Sequence, residues 1–380
     1  MNTVFDELAG QEAVVEQLRR AVDGKMTHAW LFTGPPGSGR SNAARAFAAA
    51  LLCETGGCGH CPSCTQVRAG THADLLLVRP DGLSYGVRQT RDLVLKAAGA
   101  PSGGRWRVVL FEDADRCTEA AANALLKAIE EPAPRTVWLL CAPSPEDLVT
   151  TIRSRCRVMT LRVPPSRAVA SILAQRDGVD PAAALQAAKA AQGHIGRARL
   201  LATDPEAARR RAAILTVPMK ATSLGPALAA AATLVKSAED EAKTITEQLD
   251  EPEREKLRQA YGEGSTGKGI AKAVRGVAGA MKDLEDRQKS RATRIKRDTL
   301  DGALLELAAF YRDVLMVQLG AGVELANEDR MDDLRAIAAS STAEATLRRI
   351  QAIMRCRERL PLNVAPLLAA EEMVVSLLRG

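Results

Sequence analysis

A glycine-rich segment near the N-terminus constrains the fold more than any other feature of this chain. It follows the apolar run Ala29–Thr33, precedes a helix-forming run at 42–52, and reads Gly34-Pro35-Pro36-Gly37-Ser38-Gly39-Arg40-Ser41. Strand, loop and helix in this order are the context of a phosphate loop, whose pattern is G-x-x-x-x-G-K-[ST]. Glycines let backbone N–H groups face phosphate oxygens, and Ser41 is placed to bind Mg²⁺. The segment therefore predicts a nucleotide site; the alternative is a tight strand-to-helix turn without a ligand.

The predicted nucleotide site departs from the pattern in one residue, because Arg40 stands where lysine belongs. A guanidinium is larger than an ammonium, planar and forked, so we expect it to hold phosphate in an altered geometry. Binding of ATP or ADP with Mg²⁺ then survives while hydrolysis does not. Glu112 and Asp113 follow the apolar run 106–111, where carboxylates hold the metal and orient water in nucleotide triphosphatases. The alternative is a structural pair of surface acids.

Four of the eight cysteines form a cluster with the spacing Cys53-x4-Cys58-x2-Cys61-x2-Cys64. In a reducing cytosol such a cluster indicates metal binding rather than disulfides. Four thiolates complete a tetrahedral shell and leave no position for a catalytic water. We therefore predict a structural Zn²⁺ module at 53–64. The alternative is a loop of buried thiols without metal, which is disfavoured because the surrounding glycines and proline would pack poorly alone.

Length and composition indicate a globular chain of several domains. The 380 residues correspond to roughly two or three domains. Hydrophobic residues make up 46% and aromatic residues only 3%, which favours helix over sheet. No apolar run reaches the roughly 20 residues that span a bilayer, and the acidic start is not a signal peptide. We expect a cytosolic protein without membrane contact, whose net charge of +6 is compatible with nucleic acid.

Hydrophobic periodicity divides the chain into three predicted domains. Up to residue 165, strands alternate with helices, which predicts a doubly wound α/β domain. The first helix is expected to open within Val4–Glu12 and to run to about Asp23. Beyond residue 165 only helical periodicity remains, so we predict a helical lid at 166–204, in which His194 starts a helix. A helical bundle at 205–380 follows, with a mobile loop near 261–269. We expect the basic run 282–297 to form a solvated helix face because acids are interspersed in it; the alternative is contact with nucleic acid.

Several groups of residues, taken together, resemble the AAA+ clamp-loader ATPases. Besides the loop and the cysteines, they are Phe5–Glu12, Ala121–Lys127 with Glu130-Glu131-Pro132, and Ser154-Arg155-Cys156. The resemblance covers the first 200 residues, and the C-terminal part is matched only by its helical character and position. It implies a P-loop domain with a zinc-binding insertion, a small lid and a helical collar for oligomerisation.

The resemblance implies that Arg155 is an arginine finger, which completes the ATP site of a neighbouring subunit. From spacing alone, a local salt bridge or a helix C-cap at Arg155 is the alternative. Compared with active family members, the acidic pair is inverted and the sensor strand ends in Ala142-Pro143 instead of threonine. Gly196 occupies the position at which the family usually has the sensor arginine of the lid. Arg197 follows it and is a candidate nucleotide contact. The first cysteine spacing is shorter than in most relatives, which makes Cys53 the least secure zinc ligand.

These departures favour a non-motor subunit that stimulates a neighbour and hydrolyses little ATP itself. The implied partners are the motor and delta subunits of a clamp loader, the sliding clamp, and primer-template DNA in the assembled complex. One alternative is the motor subunit or another AAA+ ATPase, with Arg40 in the role of lysine. A second alternative is a zinc-dependent module that binds DNA directly, although its loop lacks the basic helix that groove readers use.

Overall fold

The computed structural model describes residues 3–24, 26–260, 270–362 and 364–379, with only the backbone for 260 and 270–278. Its Cα positions group into two compact units. Unit 1 comprises Met1–Pro80 and Ser84–Thr203, and unit 2 comprises Asp81–Leu83 and Asp204–Gly380. The loop predicted near 261–269 lies outside the described residues, and the division into three domains stays a prediction.

Unit 1 is built on a five-stranded parallel sheet in the order β2-β3-β4-β1-β5. The strands are β1 Ala29–Thr33, β2 Leu75–Val78, β3 Arg107–Phe111, β4 Thr136–Ala142 and β5 Arg157–Thr160. Every residue of β1 and β4 is buried, as expected for central parallel strands that are covered on both faces. The order of the strands places β1, which leads into the glycine-rich loop, between β4 and β5.

Alternate residues of each central strand contribute to two different cores, because successive side chains of a strand point to opposite faces. Trp30 and Phe32 belong to one core, whereas Ala29 and Leu31 belong to the other. The first core is covered by α1 Glu12–Val22, α2 Arg40–Leu52 and α3 Pro62–Ala69. The second is covered by α4 Val87–Ala97, α5 Glu119–Glu130 and α6 Thr150–Arg153. The predicted α/β domain is therefore confirmed.

The first helix begins later than the sequence predicted. Residues 4–10 form turns, and α1 starts only at Glu12. Gly10 has a φ of +65°, which a right-handed helix does not accommodate. A Cβ at Gly10 would lie 3.1 Å from Cδ of Pro165, so the chain passes close to the end of the sheet domain there. The left-handed Gly10 and its contact with Pro165 lie just before the start of α1. Hydrophobic periodicity does not reveal either feature.

Three helices follow the sheet in unit 1 and correspond to the predicted lid. They are α7 Ser166–Asp177, α8 Pro181–Ala190 and α9 Ile195–Thr203. Their small core consists mainly of alanine, with Val169 and Leu173 fully buried. Alanine lets helices approach closely and has the highest helix propensity. The lid therefore forms from short helices whose core is mostly alanine, with few larger aliphatic side chains.

Unit 2 contains helices and connecting loops, with no strand among its described residues. It contains α10 Pro205–Ile214, α11 Val217–Lys220, α12 Leu224–Ala260, α13 Ile270–Gln318, α14 Met331–Ser340, α15 Ala343–Arg359 and α16 Pro366–Arg379. The largest core lies among α12, α13, α15 and α16. On α12 this core extends only to Ala238, and on α13 it begins at Leu300. Beyond these points the two helices continue as an antiparallel pair, which we call the hairpin arm (239–259 and 279–299).

Candidate functional site

The glycine-rich loop has left-handed glycines and leads directly into a helix, two features that a phosphate loop requires. Gly37 and Gly39 have φ values of +91° and +83°, which only glycine adopts readily. Gly39 is the N-cap of α2, and no side chain caps this helix end. The N-terminus of a helix directs N–H groups and a partial positive charge toward the preceding loop. The segment from Gly34 to Ser41 is therefore shaped to receive an anion.

The loop is packed tightly against the ends of the neighbouring strands. The N–H of Gly34 donates to the carbonyl oxygen of Pro143 at 3.0 Å. A Cβ at Gly34 would lie 2.4 Å from Oγ of Ser38 and 2.8 Å from the carbonyl oxygen of Leu161. The Ser38 hydroxyl is itself buried and has no hydrogen-bond partner in the described part of the chain. A phosphate oxygen could accept this hydrogen bond, which is one respect in which the loop fits a nucleotide.

Arg40 folds back onto its own loop. Its Nη1 donates to the carbonyl oxygen of Gly34 at 2.9 Å, and its Nη2 lies 3.6 Å from the carboxylate of Asp113. The side chain of Arg40 is only 17% exposed. Asp113 itself has a φ of +49°, in the left-handed region that asparagine and aspartate tolerate better than most residues. A nucleotide phosphate would have to compete with these partners for the guanidinium.

Glu112 is neutralised by two arginines that the sequence analysis did not single out. Nη2 of Arg45 lies 3.0 Å from one carboxylate oxygen, and Nε of Arg79 lies 2.9 Å from the other. The Glu112 side chain is 12% exposed, and Tyr85 donates its hydroxyl to the Glu112 carbonyl at 2.6 Å. A Mg²⁺ ion would have to displace guanidinium groups from this carboxylate. In this respect the residues fit a metal-nucleotide complex poorly.

The lid meets the glycine-rich loop at His194. A Cβ at Gly37 would come within 3.1 Å of the His194 Cβ, so side chains larger than glycine are excluded there. Nδ1 of His194 accepts the N–H of Arg197 at 3.3 Å, which confirms that His194 starts helix α9. Burial lowers the pKa of His194, and the charges of Arg197 and Arg40 lower it further. The imidazole is thus kept neutral near two arginines.

A third residue that the sequence analysis did not single out, Gln11, connects the N-terminal segment to the loop. Its amide donates to the carbonyl oxygen of Arg162 at 2.6 Å and to that of Ser38 at 3.4 Å, and its oxygen accepts the Arg162 N–H. Gln11 is 5% exposed. The hydrogen-bond partners of Gln11 lie 27 and 151 residues away in the sequence. No local sequence pattern predicts contacts over such separations, and Gln11 enters the sequence analysis only within the resemblance at Phe5–Glu12.

The four clustered cysteines converge as predicted for a metal site. Their sulfur atoms all lie within 4.8 Å of one another. Cys53 follows the end of α2, Cys61 is the N-cap of α3, and glycines with positive φ at 56, 57 and 59 make the turn between them. Four sulfurs at this separation fit one tetrahedral ion. The cluster can therefore hold a metal ion, with Cys53, Cys58, Cys61 and Cys64 as its ligands.

Cys53 lies in an environment that stabilises a thiolate. Burial works to raise its pKa, but hydrogen bonds from the Thr55 hydroxyl and from nearby backbone N–H groups outweigh it and lower the pKa to about 5. Its sulfur lies 3.8 Å from that of Cys58 and 3.7 Å from that of Cys61. The thiolate is the form of cysteine that binds metals. The short first spacing thus brings Cys53 into the cluster.

Arg155 lies just beyond α6, on the surface of unit 1. Its Nη1 donates to the carbonyl oxygen of Thr151 at 2.8 Å and to the hydroxyl of Ser154 at 3.2 Å. Its Nη2 forms an ion pair with Glu130, the last residue of α5. The side chain remains 39% exposed. Arg155 therefore has the local salt bridge and helix-end contact considered above, and it is also accessible from outside the subunit.

The fold and these sites define a class of protein. Its parts are a parallel doubly wound sheet, a glycine-rich loop after the interior strand β1, a helical lid and a C-terminal helical unit. These are the parts predicted for an AAA+ P-loop protein, and the predicted fold class is confirmed. Among the described residues, no helix is both long enough and apolar enough to span a membrane.

Comparison with known proteins shows which subunits this chain is similar to. Residues 10–165 match the family described as DNA polymerase III, delta subunit. The Bacillus subtilis delta-prime subunit is 27% identical over 375 residues, which is 97% of each chain. The delta-prime subunit of Pseudomonas aeruginosa is 40% identical over 173 residues, covering 44% of this chain and 52% of the relative. The chain is thus similar to DNA polymerase III subunits, and the predicted resemblance to clamp-loader subunits is confirmed.

The gamma/tau subunits of DNA polymerase III are also similar, but over a shorter region. The Mycobacterium tuberculosis protein is 37% identical over 177 residues, which cover 45% of this chain and 31% of the relative. The alignment thus spans about a third of that longer protein.

Proposed function

We propose that this chain is a non-motor subunit of the DNA polymerase III clamp loader. In this proposal Arg155 enters the ATP site of a neighbouring motor subunit, and the assembled complex loads the sliding clamp onto primed DNA. The other partners are the delta subunit and primer-template DNA. The observation that carries the proposal is the correspondence with a delta-prime subunit over 97% of both chains, whereas the similarity to gamma/tau covers 45% of this chain.

The chain's own nucleotide site supports a role without rapid hydrolysis. Arg40 is bonded to Gly34 and paired with Asp113, and Glu112 is held by Arg45 and Arg79. If ATP or ADP with Mg²⁺ binds, residues 34–41 and the N-terminus of α2 would hold its phosphates, and Arg197 would approach from the lid. The acidic pair, which would have to hold Mg²⁺ and orient water, is already neutralised. We therefore expect weak or absent ATP hydrolysis by the isolated chain.

The position of Arg155 supports its assignment as an arginine finger. The guanidinium is partly exposed at the end of a short helix, and the Thr151 carbonyl and the Ser154 hydroxyl hold the side chain in place. Arginine fingers stabilise the charge that develops on a transferred phosphoryl group and accelerate hydrolysis by roughly 10³ to 10⁵. In this proposal the cysteine cluster holds a structural Zn²⁺ that fixes the connection between α2 and α3.

The decisive experiment compares Arg155→Ala with Arg153→Ala in a reconstituted clamp loader. Arg153 is a suitable control because it lies on the same helix end, is 36% exposed and pairs with Glu146 at 3.8 Å. Both variants should assemble and bind ATP normally. Arg155→Ala should lose most of the DNA-stimulated ATP turnover, and Arg153→Ala should retain it. Unchanged turnover with Arg155→Ala would refute the finger assignment.

The alternatives predict different results. If the chain were a motor, the purified protein would turn over ATP at about 1 s⁻¹ or faster without partners, the low end of typical enzyme rates. If the cysteine module bound DNA directly, deletion of residues 53–64 would abolish DNA binding by the complex. Under our proposal that deletion destabilises unit 1, and DNA binding per folded complex is retained.

A further inference from the structure

The guanidinium of Arg155 is already occupied by groups of its own subunit. Nη1 donates to the Thr151 carbonyl and to the Ser154 hydroxyl, whereas Nη2 is paired with the carboxylate of Glu130. The first two partners are neutral and lie on the same short helix. Glu130 is the charged one, and it comes from a different helix, α5. The neutral partners can stay in place when Arg155 binds a phosphate, whereas the charged partner, Glu130, competes with the phosphate for the guanidinium.

A carboxylate and a phosphate compete for the same face of a guanidinium. Both accept charge-assisted hydrogen bonds from its planar fork of N–H groups. An arginine that binds Glu130 through Nη2 cannot offer that N–H to a γ-phosphate at the same time. To bind the nucleotide of a neighbouring subunit, the Arg155 guanidinium must therefore break its ion pair with Glu130 and form a new one with the triphosphate.

The position of Glu130 makes this pairing more than an incidental surface contact. Glu130 is the last residue of α5, and the C-terminus of a helix carries a partial negative charge that disfavours a carboxylate. A cation beside the carboxylate offsets this repulsion, and Arg155 provides it. The pair is also accessible, with side-chain exposures of 39% for Arg155 and 41% for Glu130, so water and a partner subunit can reach both groups.

We infer that Glu130 is a positioning residue that holds the Arg155 finger in a resting state until a neighbouring triphosphate replaces it. This inference rests on the proposed function, because it requires that Arg155 acts in trans. Glu130 does not contact the reacting atoms; it sets how readily the finger is released. In the resting complex it keeps basal hydrolysis low, and closure of the subunit interface around DNA drives the exchange.

The test is the DNA-independent ATP turnover of the reconstituted complex with Glu130→Gln. Glutamine keeps the size of the side chain and removes its charge. Basal turnover should rise by about threefold, the factor that corresponds to the typical energy of an exposed ion pair. The maximal DNA-stimulated rate should stay nearly unchanged, because the finger is already released in that state. Glu130→Ala, which removes the carboxylate altogether, should give the same increase.

Two further variants separate this role from a structural one. Glu146→Gln removes the carboxylate of the neighbouring Arg153 pair and should leave basal turnover unchanged. The double variant Glu130→Gln with Arg155→Ala should behave like Arg155→Ala alone, because no finger remains to be released. If Arg155→Ala has no effect, the proposed function fails. If Arg155→Ala abolishes stimulation but Glu130→Gln leaves basal turnover unchanged or lowers it, only the resting role of Glu130 is refuted.

Discussion

The guanidinium of Arg40 donates a hydrogen bond to the carbonyl oxygen of Gly34 at 2.9 Å, across the loop to which both residues belong. The same side chain reaches Asp113 at 3.6 Å. The planar fork of the guanidinium presents separate N–H groups to these two partners, whereas lysine carries a single compact ammonium. With arginine in place of lysine, the side chain at position 40 is bound by Gly34 and Asp113 of its own subunit.

Replacement of Arg40 by alanine should have little effect on the function of the complex. We expect clamp loading and DNA-stimulated ATP turnover to remain within about twofold of wild type, because we assign no catalytic role to this side chain. The free energy of unfolding should fall by about 1 kcal/mol, the usual net value of one hydrogen bond. Chemical denaturation and a loading assay on primed DNA measure the two effects.

Arg20→Ala is the control for the Arg40 variant. Arg20 is 66% exposed, and within the described part of the chain its ion-pair partner is Glu16 on the same helix, so its loss should change the stability by less than about 0.5 kcal/mol. A collapse of loading with Arg40→Ala, while Arg20→Ala loads normally, would show that the nucleotide site of this subunit is used.

Replacement of Cys53 by serine should weaken metal binding. The structure brings the Cys53 sulfur within 4.8 Å of the other three, so the purified protein should contain one Zn²⁺ per chain. Loss of a direct ligand should increase metal dissociation by more than about 100-fold, the upper range for loss of an outer-shell partner. Metal analysis and the rate of zinc release to a chelator measure this effect.

Cys117→Ser is the matched control for the cysteine cluster. Cys117 is half-buried against the opposite core of the sheet and does not belong to the cluster. Its replacement should leave the metal content at one ion per chain. If Cys53→Ser kept its Zn²⁺ as firmly as Cys117→Ser does, three cysteines and a different fourth ligand would have to form the site.

Features encoded by neighbouring residues could be predicted from the sequence, and features formed between distant segments could not. The strand β1, the loop after it and the cysteine spacing are local patterns, and each was predicted close to its observed position. In contrast, the pair of Arg45 with Glu112 joins residues 67 positions apart, and Gln11 reaches Arg162 across 151 positions. The sequence spacing of polar and charged residues does not show which of them become neighbours in the fold. Before the fold is known, many other arginines are equally good candidates as partners of Glu112.

The hairpin arm shows the same limit in unit 2. The sequence predicted helical structure and a solvated charged face at 282–297, and the described residues of α13 are helical. Yet Arg291 is only 18% exposed, because it pairs with Asp250 and Glu253 of α12, each at 2.5 Å. Alternating charges along one helix do not reveal that a second helix lies alongside and buries some of them.

Replacement of Arg291 by alanine should destabilise the hairpin arm. The variant leaves Asp250, which is 16% exposed, and Glu253 without their shared cation. Hydrogen bonds to charged groups contribute roughly 1.5–3 kcal/mol, and the partial exposure of Glu253 reduces this, so we expect a loss of about 2 kcal/mol. Hydrogen exchange of backbone amides in 240–258 measures the local stability. Lys289→Ala is the control, because Lys289 is 76% exposed and its Nζ lies 3.9 Å from Oδ1 of Asp286 on the same helix. Loss of such an exposed pair should have little effect.

The contribution of Arg291 should also depend on pH in a defined direction. The hydrogen bond from Arg291 lowers the pKa of Glu253 below its ordinary value of 4.5, against the opposing effect of burial. A carboxylate whose pKa is lower in the folded state stabilises the fold above the ordinary value, and this stabilisation is lost as the pH falls through the folded-state value. The difference in amide protection between wild type and Arg291→Ala should therefore be complete at neutral pH and shrink below pH 4.5. A difference that persists unchanged into strong acid would mean that Arg291 stabilises the arm through packing of its alkyl chain and not through its charge.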